Sequence, residues 1–228
     1  MACDKKVSNA VIRRLPKYYR YLSTLQQMGI SRVSSKDLSQ RLGITASQVR
    51  QDFFHFGGFG LQGYGYDVAS LLQEIGCILG LDRTYNMVLV GAGNLGQAIA
   101  KHSSFEKRGF QIIGVFDANP HLIGKQIKGI DILHYDQLED FVKRHAVDIA
   151  VITVPRIYAQ DVMQRVVDLG IKGIWNFASV ELDVPEDVSI ENIHLSESLM
   201  TLAYEMKRKK EKSPKKTRSL NEQKKSQP

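Results

Sequence analysis

Met87-Val88-Leu89-Val90-Gly91-Ala92-Gly93-Asn94-Leu95-Gly96 is the stretch that decides the fold of this 228-residue chain. Four largely apolar strand residues run straight into a G-x-G-x-x-G turn, and a helix is expected to open at Gln97. Glycine-rich turns are common, so the motif gains its weight from the strand before it and the helix after it. Gly91 makes the tight strand-to-helix turn, Gly93 lets the backbone approach a pyrophosphate, and Gly96 lets the helix pack closely on the strand. The free N–H groups at the helix start, through Ala92, Asn94 and Leu95, carry partial positive charge and face phosphates.

A second strand, Phe110 to Phe116, ends in Asp117, twenty-one positions beyond Gly96. An acidic residue there accepts hydrogen bonds from the adenosine ribose hydroxyls and repels a 2′-phosphate. The cofactor read from the residues is therefore NADH/NAD rather than NADP(H). Further strand and helix alternation follows: a strand near Ile130 to Leu133, a helix from Asp136 to His145, the strand Asp148 to Thr153, a helix from about Ala159 to Leu169, the strand Gly173 to Phe177 and an extended segment Ile190 to Leu195. This is the pattern of a Rossmann-like, doubly wound parallel sheet of the α/β class. Ligands in such sheets bind beyond the carboxyl ends of the strands, which places Thr153, Val154, Pro155, Phe177, Ala178 and Ser179 opposite Gly91 and Asp117.

Charge divides the chain. Residues 1–80 carry a net +5, residues 81–206 a net −6 and residues 207–228 a net +8. The first boundary falls at Gly80, after the helical run Asp67 to Leu79. Two cysteines, Cys3 and Cys77, have no partner at metal-ligand spacing, so no metal is expected. The polar start MACDKKVSN is not a signal peptide and no apolar run approaches a membrane span, so a cytoplasmic protein with no membrane partner is expected.

In the basic front, apolar residues from Ser8 to Met28 recur at helical spacing, with Pro16 marking a break or a first turn. Ser34-Ser35 cap a short helix through Leu42, and Thr45 caps another from Ala46 to about Phe56. Helices separated by Gly43-Ile44-Thr45 form a helix-turn-helix, whose second member lies in the DNA major groove. Ser47, Gln48, Arg50 and Gln51 occupy its exposed N-terminal end, while Val49, Phe53 and Phe56 point inward. Arg pairs with guanine and Gln with adenine by two hydrogen bonds, each pair worth about 1–3 kcal/mol of discrimination. The glycine-rich stretch Gly57 to Tyr66 reads as a wing. Lys36 on the preceding helix and Gln62 of the wing complete the DNA-binding set. The bland alternative is a three-helix interaction module that never touches DNA.

Beyond the glycine loop the histidines, including His102 and His194, are scattered, and no acid/base group stands at a persuasive position for a dehydrogenase. Residues 196–212 form a last helix with Leu199, Leu202, Ala203 and Met206 on one face. The two-fold symmetry of DNA half-sites favours a homodimer on a palindromic operator. Residues 213–228 are charged and poor in apolar side chains, a composition that favours a disordered basic tail.

A basic winged helix-turn-helix fused to an NAD fingerprint resembles the Rex family of redox-sensing transcriptional repressors. The resemblance rests on RRLPKYYRYL (13–22), SSKDLSQRLGITASQVRQDFFHFGGFG (34–60), GYGYDV (63–68), GAGNLGQAIA (91–100), FDANP (116–120), TVP (153–155) and GIKGIWNF (170–177), and reaches to about residue 210. It implies a homodimer that holds operator DNA while NADH is scarce and leaves it when NADH binds, with the C-terminal helix domain-swapped between subunits. Arg20 matches an arginine linking the DNA-binding domain to the other subunit, and Arg50 matches a DNA-contacting arginine. His102 stands where many members have Tyr, His194 where several have Asp, and Leu195 where an aromatic is usual; Gln51 and Gln62 replace residues often basic.

The resulting expectation is a winged-helix DNA-binding domain at 1–80, a Rossmann NAD(H) domain at 81–195, a dimerisation helix at 196–212 and the tail. An NAD-dependent oxidoreductase with a helical dimerisation module, or a module binding a nucleotide or coenzyme A, are the competing readings.

Overall fold

The structure, a computed structural model, describes residues 8–54, 60–61 and 64–212. Cys3, His55, Phe56, Gln62, most of the glycine-rich stretch and the tail lie outside these residues. The chain forms two compact units, 1–85 with 103–111, and 86–102 with 112–228. Segment 103–111 joins the first unit because the Tyr85 N–H donates to Gly109 O at 2.7 Å and the Tyr85 and Phe110 rings stack 5.3 Å apart.

The first unit opens with α1 (Asn9–Ile12) and α2 (Leu15–Gln27). Pro16 sits in the first turn of α2, where its missing N–H costs no helical hydrogen bond. Leu15, Tyr18, Leu22 and Leu25 recur at three- and four-residue steps and are buried. After β1 (Arg32–Val33), Ser34 caps α3 (Ser35–Leu42) in a capping box with Asp37, and the Thr45 hydroxyl accepts from Gln48 N–H at the start of α4 (Ala46–Phe54). Next come β2 (Gly60–Leu61), β3 (Gly65–Asp67) and α5 (Val68–Ile78), capped by Asp67. The strands make an antiparallel sheet in the order β1-β3-β2, so the expected wing has its base in a hairpin registered Gly60↔Tyr66. Sequence reasoning missed β1, since two residues carry no period. Val49, Phe53, Val68, Leu71 and Ile75 close the core against α2, each buried aliphatic side chain contributing roughly 1.5–3 kcal/mol.

The second unit alternates β4 (Tyr85–Val90), α6 (Asn94–Lys101), β5 (Phe110–Asp117), β6 (Gln126–Ile127), β7 (Ile130–His134), α7 (Leu138–Arg144), β8 (Ile149–Ile152), α8 (Arg156–Asp168), β9 (Gly173–Asn176), β10 (Ser189–Asn192) and α9 (Leu195–Lys212). The strand order is β10-β9-β8-β4-β5-β7-β6, with β6 antiparallel at one edge. From β4 the chain moves outward through β5 and β7, then returns to place β8 on the other side of β4. That reversal is the switch point of a doubly wound sheet, the place where a crevice opens at the strand ends. Near-continuous apolar runs such as Met87–Val90 are buried on both faces, as parallel strands require.

Several boundaries differ from the sequence expectation by one or two residues, and two helix starts differ by three. Helix α6 begins at Asn94, three residues before Gln97, because Gly93 takes the extended N-cap conformation and Gly96 falls inside the first turn. Helix α8 begins at Arg156 rather than Ala159, since Pro155, three residues after the end of β8, serves as its N-cap. The edge strand β6 was also unforeseen; it pairs with β7 through the two-residue turn Lys128-Gly129, both at positive φ.

Candidate functional site

A cleft of about 970 Å³ lies at the switch point of the second unit. Eleven of the thirteen residues expected there line it: Gly91, Gly93, Asn94, Leu95, Asp117, Thr153, Val154, Pro155, Phe177, Ala178 and Ser179. Ala92 and Gly96 do not, and both act from behind. Ala92 is fully buried and its N–H donates to Asp117 Oδ2 at 2.5 Å. A Cβ on Gly96 would stand 2.0 Å from Gly91 O, so only glycine permits this approach of α6 to the turn after β4. Gly91, at φ +103, is crossed by the backbone of Thr153, whose hydroxyl donates to Gly91 O at 2.7 Å.

The loop presents backbone donors. The first intrahelical bond of α6 is Gln97 N–H to Gly93 O at 2.9 Å, and no side chain caps the helix, so the amides before Gln97 are left to an external acceptor. A Cβ at Gly93 would meet nothing within 4 Å: open space lies against the bare backbone. Across the cleft, Asp117 accepts Ala92 N–H on Oδ2 and Asn119 N–H at 2.7 Å on Oδ1. One lone-pair site per oxygen remains, a match for the two hydroxyls of a ribose diol. These features fit a dinucleotide: donors and positive dipole for a pyrophosphate, acceptors for the ribose, and an apolar floor from Val90, Val154 and Val162.

Leu122, Asn119, Tyr135, Arg156, Tyr158 and Asp161 also line the cleft and were not assigned to it from sequence. The place of Arg156 in the lining follows from the early start of α8. Burial pushes the Tyr135 phenol above its ordinary pKa against the opposing charge of Arg165, whose guanidinium lies 4.6 Å from the ring centroid. The titratable side chains of the lining are Asp117, Asp161, Tyr135, Tyr158 and Arg156. Helix α9 leaves Leu199, Met200, Leu202, Tyr204 and Met206 exposed.

In the first unit, Lys36, Ser47, Arg50 and Gln51 are exposed as expected. Arg50 Nη1 reaches Ser35 Oγ at 3.4 Å, across the helix-turn-helix. Gln48 differs: it is half-buried and its Nε2 donates to Asp52 Oδ1 at 2.8 Å. Asp52 is 1% exposed and carries a network that sequence reasoning missed. Arg14 donates Nε and Nη2 at 2.8 and 2.7 Å, and the Tyr18 hydroxyl donates at 2.8 Å. Burial alone raises the Asp52 carboxyl, but the hydrogen bonds from Arg14, Tyr18 and Gln48 outweigh it and hold the group below its ordinary range. The available signal was an acidic residue on the face of α4 that carries Val49 and Phe53.

Among the residues expected at a switch, Arg20 is exposed on α2 and His102 ends α6. His194 has an 18% exposed side chain with Nε2 3.3 Å from Glu181 Oε1, and Leu195 begins α9, exposed.

Two family models match, "CoA binding domain" over residues 82–180 and "Putative DNA-binding protein N-terminus" over residues 6–53. The redox-sensing transcriptional repressor Rex of Clostridioides difficile (strain 630) is 58% identical over 91% of this chain and 99% of its own length. The protein of the same description from Thermoanaerobacter pseudethanolicus is 51% identical over 90% of this chain and 92% of its own. A crystal structure of RSP in complex with beta-NAD+ and operator DNA aligns with a TM-score of 0.83 at 50% identity, covering 90% of this chain and 94% of that one. RSP in complex with beta-NADH aligns equally well at 48% identity, over 90% of this chain and 96% of that one. With more than half of its residues shared over nearly the full length of a relative, the chain belongs to the Rex family of redox-sensing transcriptional repressors.

Proposed function

We propose that this protein is a DNA-binding repressor whose grip on its operator is set by the NADH/NAD+ ratio. The observation that carries the reading is the joining, in one chain, of a helix-turn-helix with an exposed polar recognition face and a cleft whose bare helix N-terminus and Asp117 fit a dinucleotide. Gly91 to Gly96 hold the pyrophosphate, Asp117 takes the adenosine ribose, and Thr153, Val154, Pro155, Ala178 and Ser179 wall the nicotinamide side. When bound, the cofactor supplies charge and shape that differ between its two redox states. Lys36, Ser47, Gln48, Arg50, Gln51 and the wing contact operator DNA. Functional boundaries at residues 80, 195 and 212 follow from this division of labour.

The apolar face of α9 is covered by a second copy, giving a homodimer matched to a palindromic operator in the cytoplasm. Arg20, His102, His194 and Leu195 are the positions at which the cofactor state reaches the DNA-binding unit. The cofactor acts as a signal and is not turned over. NADH binds the DNA-released conformation better than the operator-bound one, and that difference in affinity is the whole of the switch. Operator binding titrated with NADH and NAD+ at fixed salt tests this: NADH releases the DNA and NAD+ competes without releasing it. Release insensitive to NADH sinks the sensing claim, and a dimer that survives Leu202→Glu in sedimentation sinks the role of α9.

A further inference from the structure

Asp52 is saturated. Its Oδ1 accepts from Arg14 Nη2 and Gln48 Nε2, and its Oδ2 from Arg14 Nε and the Tyr18 hydroxyl, which fills the four lone-pair sites of a carboxylate. The position is a poor one for an anion on local grounds, since α4 ends two residues later and its C-terminal dipole is negative. Tyr18 is fully buried with its ring 4.8 Å from that of Phe53, and Arg14 is only 26% exposed at the start of α2. Three of the four bonds therefore come from α2 or its N-cap and fix α4 against it. The fourth is different: Gln48 lies one turn back on α4 itself, beside exposed Ser47.

A carboxylate only accepts. It attracts the Nε2 end of the Gln48 carboxamide and repels the Oε1 end, so the amide cannot flip without setting oxygen against oxygen. With one Nε2 hydrogen committed to Asp52, Gln48 keeps Oε1 as an acceptor and its second Nε2 hydrogen as a donor, side by side. That pair matches the N6 donor and N7 acceptor that adenine shows in the major groove. We propose that Asp52 is a positioning residue for base readout: by orienting the Gln48 amide it makes the recognition helix select an A·T pair at one position of each half-site. The assignment rests on the operator-binding reading above, and deepens it.

The test is selection of duplexes from a pool randomised across the site, with the full-length chain. Wild type enriches adenine at the Gln48 position by about 5- to 150-fold, the span of one good bidentate contact. It loses most of that preference when the adenine is replaced by 7-deazaadenine. Gln48→Ala loses selectivity at that position alone. The triple variant Arg14→Met, Tyr18→Phe, Asp52→Leu exchanges the buried charges for apolar packing, a replacement that folded proteins tolerate, and releases Gln48. Its expected phenotype is loss of the same adenine preference with the remaining positions still read. A triple variant that binds every sequence more weakly but still prefers adenine makes Asp52 structural only and overturns the proposal, as does cytosine at the Gln48 position.

A measurement on the wild type stands apart from the folding of any variant. The Gln48 carboxamide resonance, assigned by its loss in Gln48→Ala, is rigid and slow to exchange if Asp52 holds it; a freely rotating amide overturns the assignment. A wild-type protein that enriches no sequence at all overturns the repressor reading, and this assignment falls with it.

Discussion

The glycine loop and helix α4 both present hydrogen-bonding groups outward, and they are built from opposite materials. In the loop the facing groups belong to the main chain: amides bared by Gly93 and the uncapped start of α6, held by Gly91 and Gly96 where no side chain fits. In α4 the presented groups are side chains, and one of them, Gln48, is bonded to a buried carboxylate that is tied in turn to residues 34 and 38 positions away in sequence. A site made of backbone is fixed by sterics. A site made of side chains is fixed by charge, and the two should therefore fail in different ways.

The largest effect is expected at Asp52. Asp52→Ala strands the Arg14 guanidinium and the Tyr18 hydroxyl, and breaking a buried pair from one side costs about 3–5 kcal/mol. Denaturant unfolding of the variant measures it; a loss under about 1 kcal/mol would mean that the network contributes little. The same group sets an acid limit. Its folded-state pKa is held down, so its contribution is present above the unfolded value near 3.8 and is lost as pH falls through the lower folded value. Stability of the first unit is thus expected to fall more steeply as the pH drops below about 3.8 in the wild type, and to lose that dependence in Asp52→Asn.

Next in size is Gly96→Ala, where the new methyl meets Gly91 O at 2.0 Å and Thr153 Oγ1 at 2.9 Å. Neither neighbour is the far end of a flexible side chain. Overpacking of this kind costs about 1–3 kcal/mol, with loss of NADH binding alongside, read by calorimetry and by the fluorescence of bound NADH. The effect is expected to be insensitive to pH in the range where Asp52 titrates, which is the contrast between steric and electrostatic fixation in measurable form.

This contrast also decides what was legible in the sequence. The parallel sheet, the cleft and Asp117 could be read because each glycine of the loop has a local steric reason and the acid stands at a fixed spacing. The helix-turn-helix could be read from its caps, Ser34 and Thr45. Asp52 could not be assigned, because nothing local ties it to Arg14 and Tyr18. By the same token sequence alone shows Gln48 as freely exposed, whereas one of its hydrogens is committed to Asp52. The start of α6 was misplaced for a related reason: glycine lowers helix propensity, but Gly96 is kept inside the first turn by close packing, which propensity does not register.

Affinity, not stability, is the measure at Asp117. Asp117→Asn keeps the shape but sets its NH2 against the Ala92 or the Asn119 N–H and leaves one acceptor oxygen for a ribose diol, so NADH binding is expected to fall about tenfold, the worth of one charge-assisted hydrogen bond. NADPH binding should rise, since the charge that repels a 2′-phosphate is gone. Titration of both cofactors decides it, and an unchanged ratio between them would remove Asp117 from the ribose site.

The smallest effect on the fold is expected one turn away, at Gly93→Ala. Gly93 sits at φ −67 in extended backbone, which alanine adopts freely, and its Cβ would meet nothing within 4 Å. Stability should hold or rise by about 0.4–1 kcal/mol, because the unfolded chain loses freedom while the folded one gains no clash. Cofactor binding should nonetheless be lost, since the methyl occupies the space that a pyrophosphate needs to reach the bare amides of α6. Gly96→Ala and Gly93→Ala thus remove NADH binding by different routes, one by disrupting the loop and one by filling the place of the ligand. A Gly93→Ala protein that still binds NADH at wild-type strength would show that the pyrophosphate lies elsewhere, and the backbone half of the comparison would fail with it.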